Sequence, residues 1–258
     1  MNYLKVILLG VVNTEPEDSI NYRIAACLLE NIDAIGGYSA TQIASLCNVS
    51  KAAVSRFCRH IGLEDFLDLQ LMYRQFAVSN GKKFCFPEKN QSSSIVEDYF
   101  VSAINDTERL MKTIDTDVLL SLVDDLAAYK NVAAFGHMQS GNVAHTLQHD
   151  LTDANKFIFS SHRFGRQKEY ILAADRQTLL IIFSSSGTYF DRMFQSDLRL
   201  RRDDRPKTYM ITVADVTPKP YVDVSVCLSG TYDYVSSPLL LQEYASLIAL
   251  LYNEKYNH

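Results

Sequence analysis

No apolar run in this 258-residue sequence approaches the roughly twenty residues that a membrane-spanning helix needs; the longest are short pieces such as Val6–Val12 and Leu239–Leu241. Lys5 followed by Val6–Val12 imitates the start of a secretory leader. No small-residue cleavage site follows, and the chain runs straight into Glu15, Glu17 and Asp18, so a cytoplasmic protein is expected. Cysteine is sparse and unpaired in pattern: Cys27, Cys47, Cys58, Cys85 and Cys227 are odd in number and form no C-x-x-C. That excludes a disulfide framework and a zinc site, and leaves small apolar residues in a reducing compartment. Glycine and proline are also few, at 10 and 6, while 47% of residues are hydrophobic and 21% charged, which excludes a low-complexity or disordered chain. The length suits one large domain or two ordinary ones.

A further absence is local. The chain is acidic overall, with a formal net charge of −5, yet residues 39–63 contain no acid and carry Lys51, Arg56 and Arg59. Residues 1–38, by contrast, hold Glu15, Glu17, Asp18, Glu30 and Asp33 against Lys5 and Arg23. An acid-free window in an acidic protein is a place where a phosphate backbone can be tolerated, although three cations make a tight site only if presented together, best twice over in a dimer.

Apolar periodicity divides the chain. Asp18 to about Asp33 reads as a helix with Ile20, Ile24, Cys27, Leu28 and Ile32 on one side, stopped by Gly36–Gly37. A short helix follows from Ser39, then a turn at Cys47–Asn48–Val49 and a helix from Ser50 to about Ile61, ended by Gly62. Phe66, Leu69, Met72, Tyr73 and Phe76 close a first domain, residues 1–78. Residues 79–94, rich in Gly, Pro, Asn and Ser, are the linker candidate. The remainder, 95–258, opens with helical stretches near 95–113 and 116–129 and then alternates. Val132–Phe135, Phe157–Phe159, Leu179–Phe183, Tyr209–Val213 and Val224–Leu228 suit strands, and helices are expected near 141–153, 168–174, 188–200 and 238–254. Such alternation predicts a five-stranded parallel sheet covered on both faces, so the fold class is an all-α domain followed by an α/β domain.

Ala40–Arg59 carries the strongest signal. Ile43, Leu46, Val49, Val54 and Phe57 are placed inward, and small Ala44 sits where two crossing helices approach. Asn48 tolerates the left-handed backbone of a tight turn, and Ser50 is a good N-cap. With Val54 and Phe57 buried, the opposite face of the second helix offers Lys51, Ala52, Ser55, Arg56 and Arg59. That is the arrangement of a helix-turn-helix whose second helix enters the major groove of double-stranded DNA. Ser55 and Arg56 are placed for base edges; Lys51 and Arg59 are placed for phosphates. The competing reading is a plain three-helix bundle or a dimerisation module with a solvated polar face.

The phrase VSKAAVSRFCRHIGLEDFLDL, within residues 1–78, resembles the N-terminal domain of the RpiR/MurR family of bacterial regulators. The resemblance implies a second domain of the SIS (sugar isomerase) type that binds phosphorylated sugars. Two junctions in the second half fit that implication. Val132–Phe135 leads into Gly136-His137-Met138-Gln139-Ser140-Gly141, and Leu179–Phe183 leads into Ser184-Ser185-Ser186-Gly187-Thr188. Ligands of open parallel sheets sit beyond the carboxyl ends of the strands, where hydroxyls and helix-start N–H groups suit a phosphate. Against the SIS pattern, Ser140 matches the serine of the first loop, and Ser184, Ser186 and Gly187 match the S-x-S-G of the second, with Thr188 beside them. Met138 stands where the pattern has a second glycine, and Tyr189 stands where it has a threonine.

Three functions are open on these residues. The first is a ligand-responsive DNA-binding regulator, not an enzyme, without a cofactor. The second is a DNA-binding regulator whose sugar domain is only a dimerisation module. The third is a sugar-phosphate isomerase, for which Glu169 or His137 would be the base and for which residues 39–61 have no use. His145 and His149 lie four apart but lack a third ligand and the glutamate of H-E-x-x-H, so no metal site is expected. A homodimer or a dimer of dimers is expected, because paired half-sites multiply few contacts. The apolar C-terminal helix (Leu239, Leu240, Leu241, Tyr244, Ala245, Leu247, Ile248, Leu251) is either the partner surface or buried against the sheet.

Overall fold

The computed structural model describes residues 3–33, 35–77, 94–194, 198–217, 219–229 and 236–257. All but one residue of the linker expected at 79–94 therefore lie outside the described residues, as does Cys85. The chain forms two compact units. The first lies within Met1–Lys83 and includes His162–Glu169; the second lies within Phe84–Ser161 and Tyr170–His258.

In the first unit, helices α1 (Tyr3–Val12), α2 (Ile20–Glu30), α3 (Ala40–Leu46), α4 (Lys51–His60) and α5 (Phe66–Ala77) enclose a core. Leu4, Leu8, Ile24, Leu28, Ile43 and Phe57 are completely buried in it. Three of these helices begin at serines whose hydroxyls accept backbone N–H bonds: Ser19 before α2, Ser39 before α3 and Ser50 before α4. Ser39 makes a full capping box with Gln42. α3 ends at Asn48, whose φ is +53°, with the Val49 N–H donating back to the Ala44 carbonyl. α4 ends the same way at Gly62, φ +86°, with the Leu63 N–H donating to the Cys58 carbonyl. The leader-like Val6–Val12 is thus part of a core helix. One expected core residue is not inside: Leu46 is 40% exposed, and Cys47, at 3%, takes its place. The reason is spacing, because Cys47 lies four residues after Ile43 on one helical stripe.

In the second unit, α6 (Ile95–Thr113) and α7 (Thr116–Ala128) precede a parallel sheet. Its described strands are β1 (Asn131–Gly136), β2 (Thr178–Phe183), β3 (Lys207–Thr212) and β4 (Val224–Cys227), in the order β1-β2-β3-β4. The sheet has four strands rather than the expected five. Residues 157–159 contribute only a bridge, in which the Phe159 N–H donates to Val132 and its carbonyl accepts from Ala134. Three residues that include an exposed Phe157 give too short a ladder for a strand. β2, a central strand, is buried along its whole length. β1, at the edge of the four, is buried in all but its first residue, with the Phe159 bridge on its open side. Between and after the strands come α8 (Gln139–Asp153), α9 (Phe164–Ala173), α10 (Tyr189–Met193) and α11 (Ser236–Tyr256), although the Phe164–Glu169 part of α9 is counted in the first unit. The helix expected at 188–200 is much shorter, since the backbone turns extended at Phe194. α11 is buried within the unit by Leu240, Leu241, Tyr244, Ala245 and Ile248, which pack with α8 and α7 residues in the core. Its apolar surface is used inside the chain. No helix among the described residues is long and apolar enough to cross a membrane.

Candidate functional site

Helix α4 is held by one face. Ala53, Val54, Phe57 and Cys58 are buried, and the burial raises the Cys58 thiol to about 12, so it is an inert apolar group. The turn at Asn48 and the cap at Ser50, whose oxygen accepts from the Ala53 N–H at 3.1 Å, fix where the helix starts. On the other face Lys51, Ala52, Arg56 and Arg59 are exposed and Ser55 is half-buried, so all five expected DNA-facing residues share one side of one helix. The Arg59 side chain lies back along it, its Nε donating to the Ser55 carbonyl. His60, at the last turn of α4, meets Glu15 at 3.1 Å. Glu15 also receives Arg163, at 3.3 Å, and the same guanidinium bonds the hydroxyl and carbonyl of Thr14. Thr14, His60 and Arg163 border a cavity of about 140 Å³ that Phe164, Gly165 and Glu169 also line. Sequence reasoning missed this cluster, because it joins Thr14 to a residue 149 positions further on.

In the second unit the two candidate loops follow neighbouring strands, paired Gly136 to Phe183 at their carboxyl ends. The loops meet: Ser140 Oγ lies 3.3 Å from Ser185 Oγ, and Ser186 Oγ lies 2.7 Å from Thr188 Oγ1. Ser140, Ser184 and Gly187 are buried, and Ser186 and Thr188 half-buried. The second loop is pinned to the end of β3, with the Ser184 N–H donating to Ile211 and the Ala214 N–H to Ser185. Gly187 has φ +68°, and a side chain there would press on Val216 at 2.6 Å. Gly136 is needed for space, since an added Cβ would lie 2.5 Å from the Ser140 carbonyl.

The helix starts at this place differ from the capped ones. α2, α3, α4, α5, α6 and α7 each have a Ser or Asp oxygen accepting a first-turn N–H. α8 and α10, which begin at the two loops, have no side-chain cap. Met138, the residue before α8, sits at φ +56° and ψ −122°, angles that suit glycine. Tyr189 is buried, and its ring stacks on His137 with centroids 4.5 Å apart. Burial, and after it the charge of Arg192, holds His137 down to about 3, so the imidazole is neutral at any physiological pH. Ser185, Tyr189 and His137 therefore belong beside the predicted loop residues. Glu169 lines the cavity of the first unit. His145 and His149 are not brought to a common centre: burial lowers the former's pKa, and the latter is exposed beside Asp150 and Asp153.

Comparison with known proteins places these features. Residues 17–77 match the model of the helix-turn-helix domain of the rpiR family. The HTH-type transcriptional regulator HexR of Escherichia coli (strain K12) is 25% identical over 245 residues, covering 83% of this chain and 78% of the relative. The Vibrio vulnificus NanR protein, solved in complex with ManNAc-6P, has 18% identity and a TM-score of 0.55, over 98% of this chain and 92% of that one. The sugar isomerase domain of an RpiR transcription factor from Sphaerobacter thermophilus matches at 15% identity and a TM-score of 0.50, over 64% of this chain and 93% of that one. The chain thus carries an RpiR-family helix-turn-helix domain at its N-terminus, is homologous to the HexR transcriptional regulators, and has the fold of their sugar-isomerase-domain relatives.

Proposed function

We propose that the protein is a cytoplasmic transcription regulator that binds an operator through α4 and senses a phosphorylated sugar, or a derivative of one, through the β1 and β2 loops. One observation carries the effector half of this reading. Helices α8 and α10 start at the hydroxyl-lined loops, whose Ser140 and Ser185 touch, and neither has the side-chain cap that α2 to α7 have. First-turn N–H groups left without a side-chain cap, together with clustered hydroxyls, suit a phosphate dianion. The DNA half rests on the shared outward face of Lys51, Ala52, Ser55, Arg56 and Arg59, acting as a homodimer or tetramer on paired half-sites. NanR, a structural relative, was solved with ManNAc-6P. An isomerase role is disfavoured because His137, held down to about 3 by burial, is a poor base at neutral pH.

Tyr189 favours a second reading. Its buried ring, stacked on His137, occupies space beside the loops, as it would if the domain only dimerises. The test has two parts. Duplexes selected from a random pool are titrated by fluorescence anisotropy, and a panel of sugar phosphates, sugar acids and inorganic phosphate is titrated by calorimetry, then added to the DNA complex. Heat with one sugar phosphate and a shift in operator affinity supports sensing. Operator binding with no heat for any compound, unrestored by Met138→Gly with Tyr189→Thr, assigns the domain to assembly alone.

A further inference from the structure

The amino ends of the four strands border one open cavity of about 460 Å³. Parallel strands put all their amino ends on one edge of the sheet. This cavity therefore lies a strand's length, about 20 Å, from the Ser140 and Ser184–Thr188 loops. Tyr129 stands two residues before β1, Arg176 two before β2, and Asp223 directly before β4. β3 contributes most, with Arg201, Arg202 and Arg205 leading into Lys207, its first residue. These five cations share the lining with the carboxylates of Asp203 and Asp223. Three of the cations are held in place. Arg205 sets its two terminal nitrogens on Asp223 at 2.6 and 2.7 Å, and Lys207 reaches Asp125 at 2.6 Å. Arg202 donates to the carbonyls of Ile171, Ala174 and Arg199 and meets Asp204 at 3.2 Å. Long side chains already fixed by the fold lose little freedom when an anion arrives. Arg176 and Arg201 are exposed, and Arg176 has no ion pair with any described residue. Even with Asp125 and Asp204 added to the lining acids, the cations outnumber them. A concave site with surplus positive charge concentrates anions.

We infer that this cavity binds an oligophosphate, an anion of two or more linked phosphate groups, either free or carried on a nucleoside. Size and chemistry both select it. Small-molecule sites run from about 300 to 1,000 Å³, and this cavity falls in that range, with more room than a single phosphate fills. Its concave form does not suit the convex outer face of a duplex. Arginine presents a planar fork that meets phosphate oxygens two at a time, and four of the five cations are arginines. Tyr129 and Pro206 add an uncharged wall against which a base can lie. The inference stands apart from the effector reading, because no residue of the β1 and β2 loops lines this cavity.

The experiment titrates the full chain by calorimetry, in low-salt buffer free of phosphate, with sodium triphosphate, pyrophosphate, orthophosphate and adenosine triphosphate. Triphosphate should bind, orthophosphate at least tenfold more weakly, and pyrophosphate between the two. Inorganic triphosphate binding as well as the adenosine compound assigns recognition to the phosphate chain alone. A tighter adenosine compound adds the Tyr129 and Pro206 wall. Arg176→Glu and Arg201→Glu should each weaken triphosphate binding at least tenfold, the loss of one charge-assisted bond, while the thermal midpoint without ligand moves little. Should Arg201→Glu fail to fold, Arg176→Glu decides alone. Ser186→Ala in the β2 loop and Arg56→Glu on α4 should leave the isotherm unchanged, which separates this cavity from the sugar-phosphate and DNA sites. No heat with triphosphate, a wild-type isotherm in Arg176→Glu, or heat lost through Ser186→Ala or Arg56→Glu overturns the proposal. So does a duplex affinity that falls in Arg176→Glu while triphosphate gives no heat, since that surface would then face DNA.

Discussion

Met138 stands before α8 with φ +56° and ψ −122°, and its carbonyl accepts the Asn142 N–H at 3.0 Å, so the helix start depends on this conformation. A side chain here clashes with its own backbone, which costs about 1–3 kcal/mol. Glycine would remove that cost, but it adds freedom to the unfolded chain worth about 0.4–1 kcal/mol. It also forfeits the contacts of a half-buried thioether, roughly another 1 kcal/mol. Wild type against Met138→Gly therefore mixes terms of opposite sign. The clean comparison is Met138→Gly with Met138→Ala, since both lose the side chain and only alanine keeps the Cβ. At an ordinary residue, alanine is the more stable of the two. At this one, glycine should be more stable by about 0.5–2 kcal/mol, which corresponds to roughly 2–6 °C in the thermal midpoint of a domain this size. Paired melts and urea titrations of the two variants decide it. If the alanine variant is equal or better, the backbone is not strained at residue 138 and the argument fails.

Arg56→Ala should weaken selected-duplex binding by about 1–3 kcal/mol if the residue reads a base, while Arg59→Ala should weaken all duplexes alike and reduce the salt slope; wild-type anisotropy curves for both would reject α4 as the reading helix. Ser186→Ala removes one partner of the 2.7 Å pair with Thr188 and should weaken effector binding at least tenfold, with effector-free DNA affinity unchanged; calorimetry and anisotropy on one sample test this. His137→Gln addresses pH. The unfolded chain takes up a proton near 6.5, but the folded one resists to about 3, so this residue's contribution is intact above 6.5 and is lost as pH falls. Between pH 7 and 5 the wild type should lose up to about 2 kcal/mol that the glutamine variant keeps, and equal losses in urea titrations would refute it.

The first unit is legible where short-range rules govern. Asn48, Ser50 and Gly62 mark turns and caps by their own chemistry, and Val54 and Phe57 mark the inward face of α4 by spacing. Leu46 misleads because the buried stripe runs through Cys47, and a cysteine is a weaker apolar signal than a leucine. α1 is hidden for the opposite reason: its residues are nearly all apolar, so no periodic contrast reveals a helix. In the second unit the strand-to-loop junctions are readable, but the bridge at Phe159 is not separable from a strand, because three apolar residues look the same in both. The Ser140–Ser185 contact and the stack of Tyr189 on His137 depend on which strands are neighbours, and strand order is not written in either loop.

The inclusion of His162–Glu169 in the first unit makes that unit discontinuous. Arg163 grips Thr14 and Glu15, and the Phe164 ring lies over Gly62, so the helical unit is completed by chain that is synthesised long after it. A ribosome that has released only residues 1–78 has not yet made its last pieces. A protease that nicks the chain between residues 78 and 94 would likewise not set the two parts free. The N-terminal fragment would stay attached to a carrier segment belonging to the other piece, and the two would co-migrate on a sizing column until denaturant parted them.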